Sequence, residues 1–139
     1  MLNLAIKIAV DSHRDQIDKG GNPYILHPLR VMLSMNNESD RICALLHDVI
    51  EDSVLTFDDL RNYGFTEELL QTIECLTKRV GEPYESFVKR VLADKRAIRI
   101  KIADIEDNMD LSRISNISEA DLKRVKKYEW ALSVLKNSL

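Results

Sequence analysis

The chain has 139 residues, of which 45% are hydrophobic and 31% charged, and its formal net charge is −3. This length favours a single domain over residues 1–139, large enough to fold without disulfides. The negative charge argues against a nucleic-acid-coating surface, and no run approaches the roughly 18 apolar residues of a membrane span, so we expect neither partner and a cytoplasmic location.

Apolar residues recur at helical spacing along the chain, with no clear period-2 runs, which predicts an all-α fold. We expect a compact bundle of about seven or eight helices. The first helix runs to about Gln16, and a loop rich in glycine, asparagine and proline follows it over residues 18–23. The second helix begins near Pro28, a residue suited to a first turn, and continues to Met35.

The third helix is expected to start at a cap within residues 39–40 and to continue through Ile50. Thr56 and Asp59 resemble a capping box with aspartate in place of glutamate, and Gly64 suits the end of that short helix. Later helix starts are marked by capping residues or proline: Thr66, Pro83 and the Ser118/Asp121 pair.

An apolar run from Ile98 predicts a further helix that ends at about Leu111. The cysteines, Cys43 and Cys75, fall within predicted helices. We expect each to be a small buried apolar residue rather than half of a disulfide.

Residues 45–52, L-L-H-D-V-I-E-D, place four titratable side chains in an otherwise apolar helix. His47 and Glu51 are four positions apart, as are Asp48 and Asp52, so the pairs form adjacent polar rows. Buried charges are costly unless they are paired or bind a metal, which favours a functional site. Glu51 and Asp52 could instead be a solvated helix end, although acids there oppose the helix dipole.

Two other segments supply similar chemistry. His27 immediately precedes a predicted helix start, and Asp104 lies among apolar residues with Asn108 four positions later. Two imidazoles and two carboxylates suit a divalent first-row metal ion. The candidate ligands are His27, His47, Asp48 and Asp104.

Five motifs carry a resemblance to a known family: H-x-x-Q at 13–16, G-N-P-Y-I-L-H-P at 21–28, A-L-L-H-D-V-I-E-D at 44–52, K-I-A-D-x-x-x-N-M at 101–109 and R-V-K-K-Y-E-W-A at 124–131. They resemble the hydrolase domain of the Rel/Spo alarmone enzymes and the small stand-alone alarmone hydrolases, over about residues 4–136. The resemblance implies a helical HD domain that binds Mn²⁺. It also implies removal of the 3′-pyrophosphate from guanosine tetra- or pentaphosphate, a small nucleotide substrate.

The resemblance also implies roles for individual positions. The four candidate ligands match the family's metal ligands, and Glu51 and Asp52 match an acidic pair that handles the attacking water. Nucleotide-contacting positions are matched by Lys19, Asn108 and Tyr128.

The chain departs from the family at positions that contact the nucleotide. Asp18 stands where the family has an arginine that can stack on guanine, and Ile105 replaces the basic residue that follows the metal-binding aspartate. We therefore favour an alarmone 3′-pyrophosphohydrolase, with two alternatives: a phosphohydrolase of another nucleotide or phosphate monoester, and a non-catalytic HD module that binds nucleotide. The sequence leaves the oligomeric state open.

Overall fold

The computed structural model describes all residues 1–139, and its regular elements are helical apart from one isolated antiparallel bridge between Ile17 and Pro23. The all-α prediction is confirmed. In chain order the helices are α1 (Leu2–Ser12), α2 (Leu26–Leu33), α3 (Glu38–Leu46), α4 (Val49–Asp52), α5 (Phe57–Asn62), α6 (Glu67–Leu76), α7 (Tyr84–Val91), α8 (Lys95–Asn108) and α9 (Glu119–Lys136), with a 3₁₀ turn at Leu111–Arg113.

Local capping explains where most helices begin. The two predicted capping boxes, Thr56 with Asp59 and Ser118 with Asp121, are both formed. The predicted cap of α3 within residues 39–40 was wrong. The extended Asn37 accepts a hydrogen bond from the amide of Asp40 at 2.8 Å, so the helix already begins at Glu38.

Two predicted helices end or break earlier than expected. The first stops at Ser12 rather than near Gln16, because Asp15 adopts a left-handed backbone with φ 66° that a helix cannot contain. The predicted third helix is divided into α3 and α4 by a turn at His47–Asp48. This turn carries the most polar part of the sequence.

The hydrophobic core surrounds α3, which packs against α1, α2 and α6, while α8 packs against α2, α6 and α9. Leu45 and Leu46 of α3 are fully buried in it, as are Ile98 and Ile100 of α8 or nearly so. Both cysteines are free thiols as predicted. Cys43 is buried as expected, whereas Cys75 is only partly buried. None of the helices combines the length and apolar character needed to cross a membrane.

A buried carboxylate joins the helices that carry the candidate ligands. Asp40 of α3 accepts hydrogen bonds from Arg96 at 3.0 Å and from Arg99 at 2.9 Å, both on α8. Burial opposes ionisation of Asp40, but the hydrogen bonds from these arginines outweigh it and lower its pKa. The link fixes α3 and α8 next to each other at the end opposite the candidate site.

Candidate metal centre

The four predicted metal ligands meet at one point in the fold. His27 comes from the first turn of α2, His47 and Asp48 from the α3–α4 turn, and Asp104 from α8. One ligand atom of each residue lies within 4.8 Å of those of the others, and only Asp48 is not fully buried. Three segments distant in sequence therefore present two imidazoles and two carboxylates to a shared space.

Both imidazoles have their Nδ1 atom occupied, which leaves Nε2 directed at the centre. The Nδ1 of His27 donates to Asp107 Oδ2 at 2.7 Å, and that of His47 donates to the carbonyl oxygen of Ala44. The Nε2 atoms lie 2.8 and 3.4 Å from Asp104 Oδ1. An Nδ1–H held by an acceptor is the usual arrangement of a metal-binding histidine.

The two ligand carboxylates are also held by neighbours. Asp104 Oδ2 accepts from the buried ammonium of Lys101 at 2.9 Å, and its Oδ1 accepts from Asn108 at 3.2 Å. The Tyr24 hydroxyl donates to Asp48 Oδ2 at 2.5 Å. Each carboxylate is thus oriented by at least one neighbouring hydrogen-bond donor.

The electrostatics of the centre suit a cation. Burial alone would lower the pKa of both imidazoles, but hydrogen bonds and charges from the surrounding carboxylates outweigh it. They raise the pKa of His27 to about 9. Surroundings that favour a proton on these nitrogens also favour a divalent ion, and the mixed nitrogen and oxygen donors fit a first-row metal.

The acidic pair of α4 lies at the edge of this centre. Glu51 accepts a hydrogen bond from the amide of Lys78. Asp52 Oδ2 accepts one from the side-chain Nε2 of Gln16 at 3.4 Å, and the Oε1 of Gln16 lies 2.9 Å from Nδ1 of the buried His13. Burial raises the pKa of both carboxyls, and the charge of Asp48 adds to the effect.

A cavity of about 290 Å³ opens beside the centre. The three predicted nucleotide-contacting residues, Lys19, Asn108 and Tyr128, all line it, as does His27. Further basic side chains on its wall are Arg30, Arg113 and Arg124.

Asp18 also lines the cavity, at the position where the family has arginine. Its Oδ1 accepts hydrogen bonds from the amides of Gly20 and Asn22, each at 2.9 Å. The carboxylate therefore organises the loop between α1 and α2 as well as placing negative charge at the cavity.

Sequence analysis missed several residues that support the ligands, above all Asp107 and Tyr24. Asp107 follows Asp104 by three positions and so shares its helix face, a spacing that could have suggested it. Tyr24 lies in the motif at residues 21–28, but only the tertiary fold brings its hydroxyl to Asp48. Burial raises the pKa of Tyr24 and the charge of Asp48 raises it further, so its hydroxyl remains a hydrogen-bond donor.

No protein-family model matches the chain. Among similar proteins, the guanosine-3′,5′-bis(diphosphate) 3′-pyrophosphohydrolase of Aquifex aeolicus is 36% identical over 119 residues, 76% of this chain and 17% of the relative. The protein of the same name from Vibrio cholerae is 39% identical over 116 residues, which are 73% of this chain and 16% of the relative. The bifunctional (p)ppGpp synthase/hydrolase SpoT of Escherichia coli is 33% identical over 123 residues, which are 78% of this chain and 17% of the relative. The chain spans about a sixth of the length of these relatives.

Among solved structures, one described as a metazoan ortholog of SpoT that hydrolyses ppGpp is similar with a TM-score of 0.70. It is 22% identical in sequence, and the match covers 96% of this chain and 92% of that one. The helical fold is therefore shared almost from end to end. With the sequence matches, this confirms the resemblance to Rel/Spo hydrolase domains.

Proposed function

We propose that the chain, a relative of the Rel/Spo alarmone hydrolases in sequence and in fold, is a metal-dependent hydrolase of guanosine 3′,5′-bis(diphosphate) that removes its 3′-pyrophosphate. The observation that carries the proposal is that ligand atoms of His27, His47, Asp48 and Asp104 lie within 4.8 Å of one another. They lie beside a cavity whose wall includes basic and aromatic side chains. Mn²⁺ is the proposed metal, because mixed imidazole and carboxylate ligation suits it.

The chain's own groups divide the work of the reaction. A bound divalent ion would supply Lewis-acid stabilisation of phosphate charge and would acidify water. Glu51 or Asp52 would accept a proton from the attacking water, and the rise in pKa that burial gives both carboxyls favours that role. Attack at the phosphorus bonded to the 3′-oxygen would form a P–O bond to the water oxygen and break the P–O bond to the 3′-oxygen. The acid formed by Glu51 or Asp52 would return its proton to the departing 3′-oxygen, so that pyrophosphate and a 3′-hydroxyl are released.

The cavity wall would hold the rest of the nucleotide. Lys19 is exposed and has no carboxylate partner, so its ammonium is free to meet phosphate. Tyr128 offers an aromatic face, and Asn108 offers amide groups beside Asp104. The candidate metal ligands are held by hydrogen bonds to their neighbours, while Lys19, Asn108 and Tyr128 face the cavity where a nucleotide would bind.

A second candidate is a phosphohydrolase acting on a different nucleotide. Asp18 and Asp110 add negative charge to the cavity wall, and the stacking arginine of the family is replaced by the first of them. This favours weaker selection of guanine and of highly charged substrates.

Both candidates are tested by incubating the manganese-loaded chain with ppGpp, its adenosine counterpart, GTP and a nucleoside 3′-monophosphate in ¹⁸O-labelled water. We expect release of pyrophosphate carrying the label from the guanosine and adenosine 3′-pyrophosphates. Turnover of the other substrates alone would favour the second candidate. No turnover of any nucleotide by metal-loaded protein would contradict both.

A further inference from the structure

One metal-ligand histidine is oriented by a side chain rather than by the main chain. The Nδ1 of His27 lies 2.7 Å from Asp107 Oδ2, whereas the Nδ1 of His47 donates to a backbone carbonyl. Asp107 is one helical turn beyond the ligand Asp104 on α8, and its side chain is only 13% exposed. The orientation of the His27 ring thus depends on a residue that can be changed without altering the backbone.

Asp107 is held by two arginines from different parts of the chain. Arg30, one turn after His27 on α2, forms a two-pronged ion pair with it, Nε to Oδ1 at 2.7 Å and Nη2 to Oδ2 at 3.0 Å. Arg113 donates to the main-chain oxygen of Asp107 at 2.7 Å. Two parallel N–H···O bonds fix the plane of a carboxylate as well as its position.

We infer that Asp107, held in place by Arg30, is a positioning residue for the metal centre: it fixes the His27 ring so that Nε2 is the ligand atom. The inference rests on the metal site of the proposed function. An ionised acceptor also makes the imidazole a stronger ligand than a neutral acceptor does. Asp107 itself does not bind the ion, because its side chain lies behind the ring.

The chemistry predicts a graded effect on metal affinity. Loss of a supporting carboxylate commonly weakens metal binding by about 10- to 100-fold. We expect a loss of that order in Asp107→Ala, and a smaller loss in Asp107→Asn, which keeps an acceptor oxygen but not the charge. Arg30→Gln should weaken binding less than Asp107→Ala, because the carboxylate remains but is less firmly held.

A matched control separates this contact from general charge effects. Glu106→Gln changes the net charge equally on the same helix, but the Glu106 side chain is 53% exposed and lies 3.9 Å from Lys136, away from His27 and from the two arginines. Affinity is measured by competition of Zn²⁺ or Mn²⁺ with a chelator, on variants whose circular dichroism matches the parent. Glu106→Gln should bind the metal as the parent does.

Nuclear magnetic resonance supplies a readout that a merely structural role would not move. In the Zn²⁺-loaded, ¹⁵N-labelled parent, the Nδ1 proton of His27 should be protected from exchange, and in Asp107→Ala it should exchange rapidly while that of His47 stays protected. Parent-like metal affinity in Asp107→Ala, or equal losses in Asp107→Asn and Glu106→Gln, would overturn the inference. Because no substrate is used, a chain that binds metal but fails to hydrolyse nucleotides would contradict the proposed function and leave this result standing.

Discussion

His47 and Asp48 are consecutive in the chain, yet both face the same small volume as the other two ligands. In a regular helix neighbouring side chains diverge by about 100° around the axis, which would direct one of them away. The turn between α3 and α4 removes this conflict, with Asp48 at φ −103° and ψ −3°. The break in the predicted helix is therefore what allows two adjacent residues to share one centre.

The acidic pair after this turn leads to a prediction about the reaction itself. Glu51→Gln and Asp52→Asn keep the shape and the acceptor oxygens but lose the capacity to take up a proton. We expect hydrolysis to fall by about 10²- to 10⁴-fold, the usual contribution of a general base, with the fold and most of the metal retained. The exposed Glu85 of α7 provides the control, and Glu85→Gln should leave kcat unchanged. Parent rates in both α4 variants would show that the pair is only a helix end.

Asp18 leads to a prediction about substrate affinity. Replacing it with arginine would remove the two hydrogen bonds that hold its loop, so Asp18→Asn is the sharper change because an amide oxygen can still accept them. Loss of the negative charge should lower KM for ppGpp a few-fold and alter kcat less, since the contact would serve ground state and transition state alike. The measurement is steady-state kinetics at low and high salt. A KM that does not change at low salt would contradict a charge effect of Asp18 on substrate binding.

At the scale of the elements, Asp40 connects α3 with α8 and thereby sets two ligand-bearing segments against each other. Asp40→Asn should lower the free energy of unfolding by about 2 kcal/mol, the range for hydrogen bonds to charged groups, with solvent screening at the half-exposed Arg99 limiting the loss. Urea unfolding measures it. Asp58→Asn is the control, because that carboxylate is 84% exposed and its ion pair should contribute little.

The contribution of Asp40 to the free energy of unfolding should depend on pH. The pKa of Asp40 is lowered in the fold, so its contribution is fully present above the ordinary carboxyl pKa of about 3.9. It is lost as the pH falls from there through the lowered pKa. The stability difference between parent and Asp40→Asn should therefore be constant at neutral pH and shrink in acid. A difference that grew in acid would contradict the ionised state of Asp40 in the fold.

The elements also show which parts of the fold local sequence determines. Thr56 and Ser118 begin helices as predicted, because a capping box lies within four consecutive residues. The early end of α1 depends on the left-handed backbone of Asp15, for which aspartate is only weakly diagnostic. The α3–α4 turn could not be predicted from periodicity, since Leu45, Leu46, Val49 and Ile50 keep a helical spacing across it.

For the whole molecule, the sequence identified the four residues that lie together in the candidate centre, but not most of the groups that hold them. His47, Asp48 and the other ligands are conspicuous because charged groups interrupt apolar segments, a pattern visible in one dimension. The contacts of Asp107 with His27 and Arg30 join residues about eighty positions apart and depend on how α2 packs on α8. Residue types in the sequence thus indicated the candidate metal ligands, whereas the packing of the helices identifies the groups that orient those ligands.

The central proposal is that one divalent ion binds between His27, His47, Asp48 and Asp104, and metal content after loading and desalting tests it most directly. We predict one divalent ion per parent chain and almost none in His47→Ala, measured by elemental analysis. We also predict that metal raises the thermal stability of the parent but not of the variant, because a ligand that binds only the folded state stabilises it. Full metal occupancy in His47→Ala would contradict the centre assigned here.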